Sequence, residues 1–167
     1  LDKRTTAISE GTKRFLDEIN IWKDIRKHAE PIKKIQIVDR KQANKIYFDN
    51  QRRKSNLGYI VKNEFILSSI YKKIEKQKNV KIFNNISLKD IFYEGSRIIT
   101  EQNNFLINTN LLIASDGKKS SVRKILKTPI FSKDYKKKAI IINFYHSKDH
   151  LNTAYEFFFK SGPLAIL

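Results

Sequence analysis

The residues best suited to chemistry lie at 111–126, where an apolar run is followed by an Asp-Gly turn and a helical pattern. The run at 111–114 predicts a buried strand, which would place Asp116 at the carboxyl end, where open α/β sheets bind ligands. Gly117 permits a positive φ and close approach of a ligand. Arg123 offers a guanidinium that suits phosphate or carboxylate. The turn therefore predicts an anion-binding corner, with an ordinary strand-turn-helix corner as the alternative.

The sequence ASDGKKSSVR at 114–123 resembles the internal Asp-Gly motif of the flavoprotein aromatic hydroxylases, which share the p-hydroxybenzoate hydroxylase fold. Three further segments resemble that family in the same order along the chain: RTTAIS at 4–9, LGYIVKN at 57–63 and SGPLAIL at 161–167. Within the group, the chain most resembles the ubiquinone-biosynthesis monooxygenases of the UbiH/UbiF/Coq6 type.

The chain also departs from the family pattern. Ser115 stands where the family usually has Gly or Ala, and neither the G-x-G-x-x-G fingerprint nor the later Gly-Asp-Ala-x-His motif is present. The sequence is therefore interpreted as an internal fragment of a longer enzyme. We expect the fragment to be inactive alone and to bind FAD weakly or not at all.

The resemblance implies FAD as cofactor, NAD(P)H as co-substrate, and O2-dependent hydroxylation of a prenylated phenol or quinol in ubiquinone biosynthesis. The cofactor carries the oxidative chemistry in such enzymes, so the residues are assigned binding roles and no catalytic residue is named. The implied FAD-binding residues are Arg4, Asp116, Gly117 and Arg123. Phe158 and Pro163 are the candidates on the substrate side.

These residues must be positioned by helices and strands, and the pattern of those predicted elements indicates an α/β fold with α+β character. A helical stripe follows Asn63 to about residue 77, and strands are expected at 139–145, 154–159 and 162–167. Thr6 or Ser9 is expected to cap the first helix, and Ser120 the helix that follows the Asp-Gly turn. The resemblance implies a partial FAD-binding domain with a mixed sheet at 1–30 and 57–128, and a partial substrate-binding domain, most of a β-sheet, at 31–56 and 129–167.

Composition limits the other classes of function. The 167 residues carry 34 Lys and Arg, a net charge of +17 and no Cys, which excludes a disulfide framework. A basic chain can bind nucleic acid, and Arg52, Arg53 and Lys54 form the densest basic cluster. The spread of lysine with Ile and Asn instead indicates an AT-rich coding bias, so a nucleic-acid-binding module is an alternative but the disfavoured one.

The remaining alternative is another flavoprotein of the same fold, either a different aromatic hydroxylase or a prenyl reductase. No apolar run approaches the roughly 20 residues that span a bilayer. The expected location is cytoplasmic, with peripheral association at the inner membrane or with a biosynthetic complex.

His146 and His150 have a spacing that could bind metal on a helix. Their strand-like or loop-like flanks and the lack of a third ligand argue against a metal site.

Overall fold

The computed structural model describes residues 4–39, 44–50, 55–95, 97–101 and 105–167. The basic cluster at residues 52–54 lies outside the described residues. The elements in chain order are β1 (Thr5–Ser9), α1 (Glu10–Glu18), α2 (Trp22–Ile25), β2 (Ala29–Ile32), β3 (Lys34–Asp39), β4 (Asn44–Asp49), β5 (Gly58–Lys62), α3 (Asn63–Glu75), β6 (Asp90–Glu94), β7 (Arg97–Glu101), β8 (Leu106–Thr109), α4 (Ser121–Ile125), β9 (Thr153–Phe159) and β10 (Gly162–Ile166). This mixture confirms the predicted fold class.

The chain divides into two units, one formed by residues 1–80 and 140–167 and the other by residues 81–139. The first unit holds two sheets, one of strand order β1-β5-β2 and one of order β10-β9-β3-β4. Both pairings of the first sheet are antiparallel, whereas β3 pairs with β9 in parallel. The division into FAD-binding and substrate-binding parts remains a prediction.

The core of the first unit packs α1 and α2 against β1 and β5. Its buried side chains are Ile8, Leu16, Ile21, Trp22, Ile25 and Val61. The Trp22 ring meets Tyr59 edge-on, with 4.8 Å between ring centroids. Ser9 caps α1, since its side chain accepts a hydrogen bond from the Thr12 N–H, which confirms one of the two predicted caps.

Gly58 is required by the close approach of β1 to β5. A Cβ at this position would lie 2.5 Å from the Ile8 carbonyl oxygen, closer than any real side chain comes. Strand packing therefore explains why the segment at 57–63 has glycine at position 58.

The second unit consists of an antiparallel sheet of order β6-β7-β8 and the short helix α4. Ile91 and Ile99 are buried in the sheet, and Val122 is the buried apolar residue of α4. The contacts between α4 and β6 place the Asp-Gly turn, which precedes α4, beside this sheet.

Two strand predictions are wrong. Residues 111–114 form no strand, and Leu111 and Ile113 are 71% and 74% exposed. Residues 139–145 also form no strand, and Ile140 is 83% exposed. A strand needs neighbouring strands to satisfy its backbone groups, and within the described ranges no strand pairs with either segment.

Candidate functional site

The Asp-Gly turn is organised by one carboxylate. Asp116 Oδ2 accepts hydrogen bonds from the Ser121 N–H at 2.6 Å, the Ser121 hydroxyl at 2.9 Å and the Val122 N–H at 3.2 Å. Hydrogen bonds from the Ser120 and Ser121 side chains, and then from the backbone of Val122 and Ser121, hold the pKa of Asp116 well below its ordinary value. The carboxylate therefore occupies the first N–H groups of α4 itself, where the sequence predicted an external anion.

Ser120 completes this arrangement as the N-cap of α4. Its hydroxyl accepts the N–H of Arg123 at 3.0 Å, as the sequence predicts, and the side chain is buried. The Arg123 guanidinium turns back and donates to the Lys118 carbonyl at 2.6 Å. The turn is thus held from both sides by its own side chains.

Gly117 has open space beside it in this turn. Its φ is +79°, a conformation that favours glycine, and a Cβ built there would meet no atom within 4 Å. The structure therefore brings Asp116, Gly117 and Arg123 together in one hydrogen-bonded turn with free space beside Gly117.

Arg4 lies in the first unit, whereas the other three predicted FAD contacts lie in the second. It is exposed immediately before β1, and its carbonyl accepts the N–H of Asn63 at 2.9 Å. The Thr6 hydroxyl donates to the Asn63 side chain at 2.5 Å, so two contacts fix β1 to the start of α3. These contacts hold the Arg4 backbone in place, while the Arg4 side chain is exposed.

The substrate-side candidates Phe158 and Pro163 are direct cross-strand partners in the β9–β10 hairpin. Phe158 is 47% exposed and Pro163 is exposed as well. Because strand side chains alternate between faces, the two residues share one face of the four-stranded sheet. We call it the Phe158 face.

The opposite face of β9 carries an aromatic row that the sequence analysis did not single out. Tyr155 stacks on Phe157 at 6.0 Å between ring centroids, and Phe157 stacks on Phe159 at 6.1 Å. The sequence signal for this row was an aromatic residue at every second position from 155 to 159. The three consecutive phenylalanines obscured it, since they supply an aromatic ring to both faces.

A cavity of about 910 Å³ adjoins this aromatic row in the first unit. Its apolar lining includes Ile32, Ile60, Phe157 and Ile166, and its polar lining includes Glu30 and His150. The Glu30 carboxylate accepts a hydrogen bond from Asn152 and lies 3.8 Å from His150 Nε2. Neither Phe158 nor Pro163 lines this cavity.

The two histidines considered as metal ligands lie with their ring centroids 6.0 Å apart. Within the described ranges, no cluster of three or more His, Cys, Asp or Glu side chains is arranged to hold a metal ion. None of the helices in the described part of the chain has the length and apolar character that crossing a bilayer requires.

Comparison with curated proteins finds relatives along nearly the whole chain, although no family model matches. The chain is 24% identical to the mitochondrial ubiquinone biosynthesis monooxygenase COQ6 of Dictyostelium discoideum, over 98% of this chain and 39% of that protein. It is 24% identical to ubiquinone hydroxylase UbiL of Rhodospirillum rubrum, over 99% of this chain and 39% of that protein. The chain therefore spans well under half the length of these relatives.

Solved structures share the fold. The p-nitrophenol 4-monooxygenase PnpA of Pseudomonas putida aligns over 74% of this chain and 33% of its own, with a TM-score of 0.61 and 20% identity. FqzB aligns over 77% of this chain and 30% of its own, with a TM-score of 0.61 and 15% identity. The predicted resemblance is thus confirmed: the chain is similar over nearly its whole length to monooxygenases of ubiquinone biosynthesis, and it shares its fold with the p-nitrophenol 4-monooxygenase PnpA and with FqzB.

Proposed function

We propose that this chain is part of a flavin-dependent monooxygenase that hydroxylates a prenylated phenol or quinol in ubiquinone biosynthesis. The observation that carries the proposal is the similarity to ubiquinone biosynthesis monooxygenases, which covers 98% of the chain or more at 24–26% identity. The proposed cofactor is FAD, which when bound would use electrons from NAD(P)H to activate O2 for transfer of one oxygen atom to the ring.

The Asp-Gly turn fits a role in holding FAD. The open space beside Gly117 admits a ligand to within contact of the backbone. Asp116 and Arg123 support this surface, because their contacts to Ser121 and Lys118 fix the turn before any ligand arrives. A surface fixed in advance loses little conformational entropy on binding.

Arg4 is proposed to contact the phosphate or ribose part of FAD. Its side chain is exposed, and a guanidinium forms paired hydrogen bonds with phosphate oxygens. The backbone contact between the Arg4 carbonyl and Asn63 supports this role, since it fixes the point from which the side chain extends.

The substrate is proposed to lie against the Phe158 face. The exposed Phe158 and its partner Pro163 offer an apolar surface to an aromatic ring with a prenyl tail. The net charge of +17 supports a location at an anionic membrane surface, such as the inner membrane, where a prenylated substrate would reside.

The visible spectrum of the complete gene product tests the proposal first. We expect flavin absorbance after purification and a hydroxylated ring when a prenylated phenol, NAD(P)H and O2 are supplied. Asp116→Ala and Arg4→Ala should each reduce the bound flavin.

Matched controls exist for both substitutions. Asp134 also accepts a backbone N–H in an exposed turn, and Arg14 is an exposed arginine on α1. Asp134→Ala and Arg14→Ala should therefore leave the flavin content unchanged. A colourless protein that also fails to take up added FAD would refute the proposal.

A further inference from the structure

We propose that Glu156 on the Phe158 face positions the substrate ring by accepting a hydrogen bond from its hydroxyl group. The inference rests on the proposed function and assigns one polar contact within that site. Because side chains alternate between the faces of a strand, the residues at 156 and 158 of β9 lie on the same face.

The register of the sheet defines the surroundings of Glu156. Its cross-strand partners are Ala165 on β10 and Ile37 on β3, and Ile37 is in turn paired with Ile46 on β4. Directly opposed residues point to the same face. Glu156 is therefore the single polar side chain in a row of four.

The neighbouring row is apolar on β10 and β9 and acidic on β3. Pro163 and Phe158 are paired there, and the next residue across is Asp39 at the end of β3. An aromatic ring laid against the two rows would contact Phe158, Pro163 and Ile37 and would cover the half-buried Glu156.

The chemistry of the carboxylate then limits what can cover it. A carboxylate that loses water without gaining a hydrogen-bond donor is strongly destabilised. Within the described part of the chain, no cation pairs with Glu156. A phenol or quinol supplies the missing donor through its hydroxyl group, and an O–H donated to a carboxylate is among the stronger hydrogen bonds.

The test compares 2-prenylphenol with its methyl ether, which has the same ring and tail but no donor. Calorimetric titration of the complete gene product should show the phenol binding about tenfold more tightly than the ether, as a hydrogen bond to a charged group implies. Glu156→Gln should reduce this preference several-fold, and Glu156→Ala should abolish it. A general loss of folding would weaken both ligands alike and leave the ratio unchanged.

Two controls separate this position from its neighbours. Asp39→Asn changes a carboxylate in the adjacent row, and Glu30→Gln changes one that lines the cavity on the other side of the sheet. Both variants should keep the phenol preference. A preference that survives in Glu156→Ala, or that is lost in Glu30→Gln or Asp39→Asn instead, would overturn the inference.

The outcome is separable from the proposed function because calorimetry requires no turnover. An enzyme that hydroxylates the phenol but keeps its preference in Glu156→Ala refutes only the role of Glu156. A protein whose preference depends on Glu156 but which yields no hydroxylated product supports the contact and refutes the proposed reaction.

Discussion

The Asp-Gly turn and the four-stranded sheet are built from contacts of opposite range. In the turn, Asp116 reaches Ser121 and Val122, which are five and six residues away. In the sheet, β9 lies beside β3, which comes from a distant part of the chain. The turn is therefore specified by a short motif, whereas the sheet exists only when separate segments meet in the correct register.

The largest expected effect tests the long-range side of this comparison. Gly58→Ala should destabilise the first unit by about 3 kcal/mol, since the added Cβ would collide with the backbone of β1 and force the strands apart. Urea unfolding followed by circular dichroism measures the loss. Gly11→Ala is the matched control.

At Gly11 the nearest atom to an added Cβ is the Ser9 Oγ at 3.7 Å, and the position lies within α1. Alanine there should be neutral or stabilising by up to about 1 kcal/mol, because it favours helix more than glycine does. Equal destabilisation by the two substitutions would contradict the view that β1 and β5 approach closely.

The two faces of β9 offer the next test. Phe157→Ala should cost about 2 kcal/mol of stability, because the ring is half-buried and stacks on both Tyr155 and Phe159. Phe158→Ala should cost about 1 kcal/mol or less, since its ring is about half exposed. Thermal unfolding gives the stability difference, and titration with 2-prenylphenol should show the opposite order, with Phe158→Ala weakening binding more. If Phe157→Ala impaired binding more, the cavity would be the substrate site.

The outcomes of the sequence predictions follow the same division. The helix predicted from Asn63 to about residue 77 is α3 (Asn63–Glu75), and the Ser120 cap forms as expected. The strand predicted at 154–159 is β9 (Thr153–Phe159). These elements have a periodicity, a cap or a turn close by in the sequence, so local physical chemistry is sufficient to predict them.

The predictions that failed required distant partners. Residues 111–114 and 139–145 are apolar enough for strands, but an apolar run does not determine which segment pairs with it. The aromatic row at Tyr155 and Phe157 was missed for a related reason. Sequence alternation separates the two faces of a strand, but only the register of the sheet shows which face meets the cavity.

A smaller effect is expected in the turn, where contacts are local. Ser120→Ala removes the buried N-cap of α4 and should cost about 1 kcal/mol. Ser115→Ala is the control, because Ser115 is exposed just before the turn. Amide hydrogen exchange in α4 measures the difference. Equal protection of α4 in both variants would show that the Asp116 carboxylate alone holds the helix start.

The effect of pH on the turn should be confined to the start of α4. The pKa of Asp116 is lowered by hydrogen bonds to its ionised form, so these bonds stabilise the folded state fully above the ordinary aspartate pKa. This contribution is lost as the pH falls through the lower pKa of the folded state.

The amide resonances of Ser121 and Val122, followed by NMR at acidic pH, should therefore shift together as the carboxylate is protonated. Asp116→Asn should remove this transition, because its amide does not titrate. If the two amides shifted at the ordinary aspartate pKa, the carboxylate would not be the group that holds the start of α4, and the proposal that the turn is a pre-formed surface for the cofactor would lose its support.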